Sequence, residues 1–221
     1  RGRNGRVWHS LPGSSLTFSL GLPLAPSDWS GLSLAVGAAL ADAIDPAGQG
    51  APQLQLKWPN DLWLREVASP GAGPGAAGWR KLGGILVETV TTVGGIRACV
   101  VGVGLNVQPR VDVQGLASGY ACVQELDPSC TAPALLARVA LPLLQALRRF
   151  ERDGLAPFAT AFAHRDLLRG RVVFTTRPDL PQGVADGVDA SGALRVRHAG
   201  GVALVHSGEV SVRPVAMPAV A

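Results

Sequence analysis

The chain has 221 residues, of which 47% are hydrophobic, enough to bury the core of one medium-sized domain and a small second one and too many for a disordered protein. Its net charge of +4 is mild for this length, and the basic residues are dispersed except in the first six positions, so nucleic acid is not an expected partner. Three cysteines without metal-ligand spacing indicate a reducing compartment and no zinc. Since neither a signal-peptide pattern nor an apolar stretch long enough for a bilayer is visible, we expect a cytoplasmic protein with no membrane partner.

Three short segments alternate apolar and polar residues and are predicted to be strands: 15–22, 53–58 and 62–64. Pro59-Asn60-Asp61 predicts a turn between the last two. Before them, Ser27 or Asp28 is the expected N-cap of a helix that ends near Ile44. Because apolar residues cover most of its circumference, we expect this helix to be largely buried.

Glycine and proline are frequent in the middle of the chain. Residues 66–80 are rich in Pro, Gly and Ala and nearly uncharged, which predicts a surface loop. Segments 81–93 and 95–107 are apolar and β-branched, with Val93-Gly94-Gly95 between them. This pattern predicts a hairpin of two strands.

The last part of the chain combines two predicted helices with a β-rich segment. Thr131 is expected to cap a helix that runs to about Asp153, and a second helix is expected over 156–168. From Gly170 onward, short Val-rich segments alternate with Gly and Asp turns, a texture typical of a small all-β barrel. We therefore predict a first domain at 1–168 and a second at 169–221.

Only two of the 20 basic residues are lysines, Lys57 and Lys81, and both lie in candidate motifs. In Lys57-Trp58-Pro59-Asn60-Asp61-Leu62, an ammonium, an amide and a carboxylate meet at a strand end, although an ordinary turn beside a solvated lysine would contain the same residues. In Lys81-Leu82-Gly83-Gly84-Ile85-Leu86-Val87-Glu88, the glycines either let a ligand approach the backbone or mark a β-bulge.

Two further motifs are suited to recognising anions and bases. Arg1-Gly2-Arg3-Asn4-Gly5-Arg6 interleaves glycines with guanidinium groups, as in a loop that closes over a phosphate or carboxylate, or as in a frayed basic terminus. Val101-Gly102-Val103-Gly104-Leu105-Asn106-Val107 is an apolar strand pattern that ends near Asn106. The amide of that asparagine can read an adenine edge, since it is both a donor and an acceptor.

The order and spacing of these motifs resemble those of the biotin protein ligases, which act on acetyl-CoA carboxylase. RGRxGRxW, KWPNDL, KLGGILVE and VGVGLNV follow one another as in that family, and GVDASGAL and HSGEVSVRP extend the resemblance over nearly the whole chain. The resemblance implies an α+β fold, with a class II synthetase-like catalytic domain, built as a mixed sheet with packed helices, followed by a small SH3-like β-barrel. It also implies that biotin and ATP, with Mg²⁺, form biotinyl-5'-AMP, and that biotin passes to a lysine of a biotin carboxyl carrier protein; a homodimer is compatible with it.

The resemblance assigns roles to individual residues. Catalysis would depend on Lys81, Arg3 and Asp61, with Asp61 also orienting the metal or accepting a proton. The residues that would bind biotin are Arg1, Gly2, Arg3, Lys81, Gly83, Gly84 and Ile85. The residues that would bind ATP are Arg3, Arg6, Lys57, Asn60, Asn106 and Tyr120, with the tyrosine covering the adenine.

The sequence departs from the family pattern in three places. Asn4 stands where an arginine is common, and the 66–80 segment is longer than usual. The family's first segment, with a Ser-Thr-Asn stretch and a glutamine that contact biotin, is expected before Arg1. Because no helix-turn-helix pattern precedes the motifs, no repressor role is expected.

Three other functions compete with this interpretation. A lipoate–protein ligase shares the fold and the adenylation chemistry, and a substrate test with the two acids distinguishes it. A nucleic-acid-binding module would use residues 1–6 as a basic arm and the barrel as a platform, and its binding would depend steeply on salt. An inactive fragment would bind a nucleotide weakly and release no pyrophosphate.

Overall fold

The computed structural model describes residues 10, 12–46, 52–66, 78–91, 97–110, 118–206 and 212–214. In these ranges the fold consists of two five-stranded sheets, three α-helices and two short 3₁₀ helices at Val123–Glu125 and Ala156–Phe158. The α+β class expected from the sequence is confirmed.

The first sheet carries the motifs that surround the two lysines. Its strands are β1 (Ser15–Pro23), β2 (Leu54–Lys57), β3 (Asp61–Arg65), β4 (Trp79–Thr91) and β5 (Arg97–Asn106). They lie in the order β1-β5-β4-β3-β2, and all four neighbouring pairs are antiparallel. The expected mixed sheet is thus antiparallel in the described residues, apart from an isolated parallel bridge between Leu56 and Asp166.

All the strands predicted for this sheet are confirmed in the described residues. The turn predicted at Val93-Gly94-Gly95 lies outside the described ranges. The predicted loop at 66–80 is too long at its C-terminal end, because Trp79 and Arg80 are the first residues of β4. The backbone N–H of Glu66 donates to the carbonyl of Gly78 at 2.9 Å, so hydrogen bonding continues beyond the end of β3. Residues 67–77 of the predicted loop lie outside the described ranges.

Helix α1 (Leu32–Ile44) lies against β2, β3 and β4 and also packs on the next helix. Its predicted burial is confirmed, but its predicted start is wrong. The carboxylate of Asp28 accepts a hydrogen bond from the backbone N–H of Ser30 at 2.9 Å, which stabilises a local turn instead of a helix. The helix begins only after Gly31, whose φ of +80° is left-handed.

Helix α2 (Ala132–Asp153) packs on α1 and β1 and confirms the predicted cap, since Thr131 Oγ1 accepts from the N–H of Ala134 at 3.4 Å. The second predicted helix is shorter than expected. After the 3₁₀ turn, α3 spans Ala159–Arg165. Asp166 is extended, and its side chain accepts from the N–H of Leu168.

The second sheet is open in the described residues. Its strands are β6 (Val172–Thr175), β7 (Gln182–Val188), β8 (Leu194–His198), β9 (Gly201–Val205) and β10 (Val212–Pro214). They are antiparallel in the order β10-β6-β7-β8-β9. The β-rich segment is therefore confirmed, whereas closure into an SH3-like barrel and the division at 168/169 stay predictions.

Candidate functional site

The turn between β2 and β3 is held from two sides. It begins with a cis peptide bond between Trp58 and Pro59, and the carbonyl of Pro59 accepts from the hydroxyl of Ser33 in α1 at 3.0 Å. The indole of Trp58 is 1% exposed, and its N–H donates to the carbonyl of Gly192 at 3.0 Å. The turn that carries Asn60 and Asp61 is thus anchored both to α1 and to the second sheet.

Asn60 ties the same turn to β4. Its side-chain amide donates to the carbonyl of Ile85 at 2.6 Å, and its own carbonyl accepts from the N–H of Ile85 at 2.9 Å. The side chain of Ile85 is 3% exposed and approaches Gly37 in α1, so it belongs to the core. The structure gives both residues a role in shaping the site, and their predicted contacts with ATP and biotin stay predictions.

Lys81 and Asp61 form the charged centre of the site. Lys81 Nζ lies 2.7 Å from Asp61 Oδ1, and the two side chains are 24% and 17% exposed. An ion pair that is partly exposed remains accessible to a third, anionic group. This arrangement can present a cation to a phosphate or carboxylate while the neighbouring carboxylate holds that cation in place.

The two glycines of the lysine motif have different roles. A Cβ at Gly84 would lie 3.4 Å from Asp61 Oδ1 and 3.6 Å from Lys81 Nζ, so a side chain there would crowd the ion pair. A Cβ at Gly83 would lie 2.6 Å from the carbonyl oxygen of Gly104, so Gly83 is required for close packing of β4 on β5. Of the two alternatives for these glycines, the β-bulge is present, since the register between β3 and β4 shifts next to Gly83.

Asn106 and the segment around Tyr120 flank the backbone of Lys81. Asn106 is 7% exposed, and its amide donates to the carbonyls of Ala121 at 2.9 Å and Lys81 at 3.3 Å. The backbone N–H of Lys81 donates to the carbonyl of Ser118, and the carbonyl of Lys81 accepts from the N–H of Ala121, both at 3.0 Å. With both amide hydrogens engaged, Asn106 stabilises the strand end in this structure, and its predicted contact with adenine stays a prediction.

Tyr120 makes contacts through its hydroxyl, its ring and its backbone carbonyl. Its hydroxyl donates to the carbonyl of Gln108 at 2.7 Å, and the guanidinium of Arg110 lies 6.0 Å from the ring centroid. The backbone carbonyl of Tyr120 accepts from Arg80 at 2.7 Å. The ring is therefore held beside the end of β5, and covering a nucleotide base stays its predicted role.

Arg80 and Glu125 form a brace that the sequence did not predict. The guanidinium of Arg80 makes two bonds to the carboxylate of Glu125, at 3.1 and 2.6 Å. These bonds raise the pKa of Arg80 above its usual value, and Glu125 also accepts from the N–H of Cys122 at 2.9 Å. The brace lies next to Lys81 along the chain, but its partners are 45 residues apart and share no motif.

Lys57 lies at the other side of the turn. Its ammonium is 5.8 Å from the centroid of Trp63, and it borders a cavity of about 10 Å³ that Asn60 and Asp61 also line. Such a cavity holds about one water molecule, well below the several hundred Å³ of a ligand pocket. This cavity by itself therefore does not enclose a nucleotide. The predicted site residues Arg1, Gly2, Arg3 and Arg6 lie outside the described ranges.

The described residues offer few groups that could bind a metal ion. They contain no group of three or more His, Cys, Asp or Glu side chains that could hold an ion. The predicted metal ligand, Asp61, is paired with an ammonium instead. Mg²⁺ is commonly bound by one or two carboxylates together with substrate phosphates. Within these ranges Asp61 fits at most as a single ligand to an ion that arrives with a nucleotide, and no preformed Mg²⁺ site is present.

Part of the chain matches a known protein family. Residues 1–106 match the model of the biotin/lipoate A/B protein ligase family. The bifunctional ligase/repressor BirA of Escherichia coli K12 is 33% identical over 217 residues, which are 96% of this chain and 63% of BirA. A biotin–acetyl-CoA-carboxylase ligase of Paracoccus denitrificans is 29% identical, over 95% of this chain and 85% of that protein.

Solved structures share the fold. The biotin protein ligase of Aquifex aeolicus in complex with biotin and ATP has a TM-score of 0.75 and 24% identity, and the match covers 97% of this chain and 84% of that one. The chain spans about 63% of the length of the BirA relatives that it matches. Across the described ranges, none of the helices is both long enough and apolar enough to cross a membrane.

Proposed function

We propose that the chain is the catalytic part of a biotin protein ligase, which forms biotinyl-5'-AMP from biotin and ATP and transfers biotin to a lysine of a biotin carboxyl carrier protein. The names of its relatives support this activity. The observation that carries it is the ion pair of Lys81 and Asp61 beside the side-chain-free Gly84. The partial exposure of this ion pair supports access of an anionic substrate to the motif lysine.

In the first step the carboxylate of biotin must attack the α-phosphate of ATP, from which pyrophosphate leaves, and the two anions repel each other. The ammonium of Lys81 offsets this repulsion and stabilises the charge that develops on the transferring phosphorus centre. Its backbone is hydrogen-bonded to Ser118 and Ala121, and its ammonium is held by Asp61. The cation is therefore positioned before the substrate arrives, which is the condition for effective electrostatic catalysis.

In the second step an acceptor lysine must lose a proton. A free lysine has a pKa of about 10.4, so little of it is neutral at pH 7. We propose that Asp61, once Lys81 turns toward the adenylate, accepts a hydrogen bond from the incoming ammonium and assists its deprotonation. Asp61 would be the candidate carboxylate ligand for a Mg²⁺ ion that arrives with ATP, and the ion would supply further charge neutralisation.

The finer parts of this proposal rest on the resemblance. They are an SH3-like closure of the second sheet, a boundary at 168/169, a cytoplasmic location, and a homodimer as one compatible state. The biotin- and ATP-binding roles of the residues named from the sequence belong to it as well.

A substrate comparison separates the two ligase activities that the family name covers. Pyrophosphate release from ATP is measured with biotin and with lipoate, for this chain and for a version extended upstream by the family's first segment. A biotinylated carrier lysine, seen as a mass increase, completes the assay. We expect release with biotin and not with lipoate, and release with lipoate alone would replace the proposal by a lipoate ligase.

A further inference from the structure

The buried indole of Trp58 joins the candidate site to the second sheet. Its N–H donates to the carbonyl of Gly192 at 3.0 Å, although the two residues are 134 positions apart. Trp58 directly precedes the turn that carries Asp61 to Lys81. A hydrogen bond at this position can therefore influence the geometry of the ion pair.

The turn that contains Gly192 is rigid. The side chain of Asp189 accepts three hydrogen bonds within it, from the N–H and the hydroxyl of Ser191 at 2.9 and 2.7 Å and from the N–H of Ala193 at 2.9 Å. The backbone N–H of Gly192 donates to the carbonyl of Asp189 at 3.0 Å. This network fixes the direction of the Gly192 carbonyl that Trp58 meets.

The same turn fits tightly against the start of α1. Gly192 has a φ of +80°, and a Cβ at this position would lie 2.8 Å from Gly31 Cα and 3.1 Å from Leu34 Cδ1. Ser33, in the first turn of α1, donates to the carbonyl of Pro59 at 3.0 Å. Gly192 thus reaches the candidate site by two routes, directly through Trp58 and indirectly through α1.

We propose that Trp58 and Gly192 are positioning residues, through which the turn of the second sheet holds the Pro59–Asp61 turn, and with it Asp61, in place beside Lys81. The contact itself stands on the geometry, and its effect on catalysis rests on the proposed ligase function. The second sheet would then contribute to the active site without supplying a group that touches substrate.

The chain contains a matched control for the hydrogen bond. Trp58→Phe removes the indole N–H that donates to Gly192, whereas Trp63→Phe removes a buried indole N–H that has no hydrogen-bond partner in the described residues. The readout is hydrogen exchange of the Ile85 amide, which donates to the carbonyl of Asn60. A neutral hydrogen bond contributes about 0.5–1.5 kcal/mol, so exchange should accelerate about 2- to 10-fold in Trp58→Phe and should not accelerate in Trp63→Phe.

A second pair of variants tests the contact from the other side. Gly187 and Gly192 both have left-handed backbone, with φ of +74° and +80°, but a Cβ at Gly187 meets no atom within 4 Å. Alanine at either position imposes similar backbone strain, and only Gly192→Ala displaces the turn from α1. We expect faster exchange at Ile85 in Gly192→Ala, and not in Gly187→Ala.

Steady-state kinetics show whether the contact matters for the reaction. In the active form of the protein, Trp58→Phe should lower kcat for biotin-dependent pyrophosphate release about 10- to 100-fold, because small misplacements of catalytic groups have effects of this size. The KM values for ATP and biotin should change much less. If the wild-type protein releases no pyrophosphate, the proposed function fails, while the exchange data still decide the contact. Wild-type exchange at Ile85 and wild-type kcat in both Trp58→Phe and Gly192→Ala would overturn the inference.

Discussion

Lys81 and Asp61 lie on neighbouring strands, and their charged atoms are 2.7 Å apart. Asp61 opposes Gly84 in the β3–β4 register, and the register shift after Leu62 brings Lys81 opposite Trp63. Lys81 therefore reaches its partner diagonally across a bulge. This pair joins the two motifs that contain the only lysines of the chain. Neither motif alone could predict the contact.

Gly84→Ala should reduce substrate binding without unfolding the protein. The new methyl group would be in ordinary van der Waals contact with Asp61 Oδ1 and Lys81 Nζ, at 3.4 and 3.6 Å, so the fold tolerates it. It would, however, occupy the space through which an anion approaches the ammonium. We expect a higher KM for ATP or biotin at an unchanged melting temperature, and unchanged kinetics would show that substrates approach from elsewhere.

Gly83→Ala, one residue earlier, should reduce the stability of the fold. Its methyl group would lie 2.6 Å from the backbone oxygen of Gly104 and from Leu105 Cδ2, a distance that forces β4 and β5 apart. Overpacking of this kind costs about 1–3 kcal/mol. Denaturant unfolding should therefore show a clear loss of stability in Gly83→Ala and little loss in Gly84→Ala, and equal stabilities would contradict the packing role.

Asn106→Asp should destabilise the end of β5. The amide of Asn106 donates to the carbonyls of Lys81 and Ala121, and a carboxylate would place an acceptor against these two acceptors. Leaving buried groups unsatisfied costs about 1–3 kcal/mol, more for a charged group. We expect a loss of at least this size in urea unfolding at pH 7, recovering as the pH falls and the new carboxyl is protonated. A pH-independent effect would argue against these contacts.

Asp166 provides a pH test of the interface between β2 and the end of α3. Burial raises the pKa of its carboxyl, although hydrogen bonds from the backbone at Leu168 and Arg169 oppose the shift, and its Oδ2 has no hydrogen-bond partner in the described residues. The folded state therefore binds a proton more readily than the unfolded state, so this group's contribution to stability increases as the pH falls from its folded pKa toward its unfolded value near 3.9. Asp166→Asn should be more stable than the wild type at pH 7, with a difference that shrinks toward pH 4. A constant difference would contradict the raised pKa.

Features that depend on neighbouring residues were predictable from the sequence. Thr131 caps α2 as expected, because a hydroxyl three positions before a free N–H suffices to form the cap. The start of α1 was predicted wrongly, since Asp28 satisfies the N–H of Ser30 in a turn of its own. Local pattern cannot distinguish an N-cap from such a turn when both use the same side chain.

Contacts between distant residues were not predictable. The motifs identified Lys81 and Asp61, but neither periodicity nor composition pairs Arg80 with Glu125 or Trp58 with Gly192. Each of these contacts depends on how whole elements pack. In the sequence, the GVDASGAL segment was notable only as part of the family resemblance. The close packing of its turn against α1 depends on how distant elements come together.

The most direct test of the central claim is biotin-dependent pyrophosphate release in Lys81→Ala, compared with a control that removes another ion-paired cation. Arg138→Ala provides that control, because Arg138, on α2, pairs with Asp127 at 2.6 Å and neither is one of the predicted site residues. In the active form of the protein, Lys81→Ala should lose about 10²- to 10³-fold in rate at an unchanged melting temperature, the loss typical for a charged or polar group that stabilises a transition state, while Arg138→Ala keeps the wild-type rate. A folded Lys81→Ala protein that releases pyrophosphate at the wild-type rate would contradict the account.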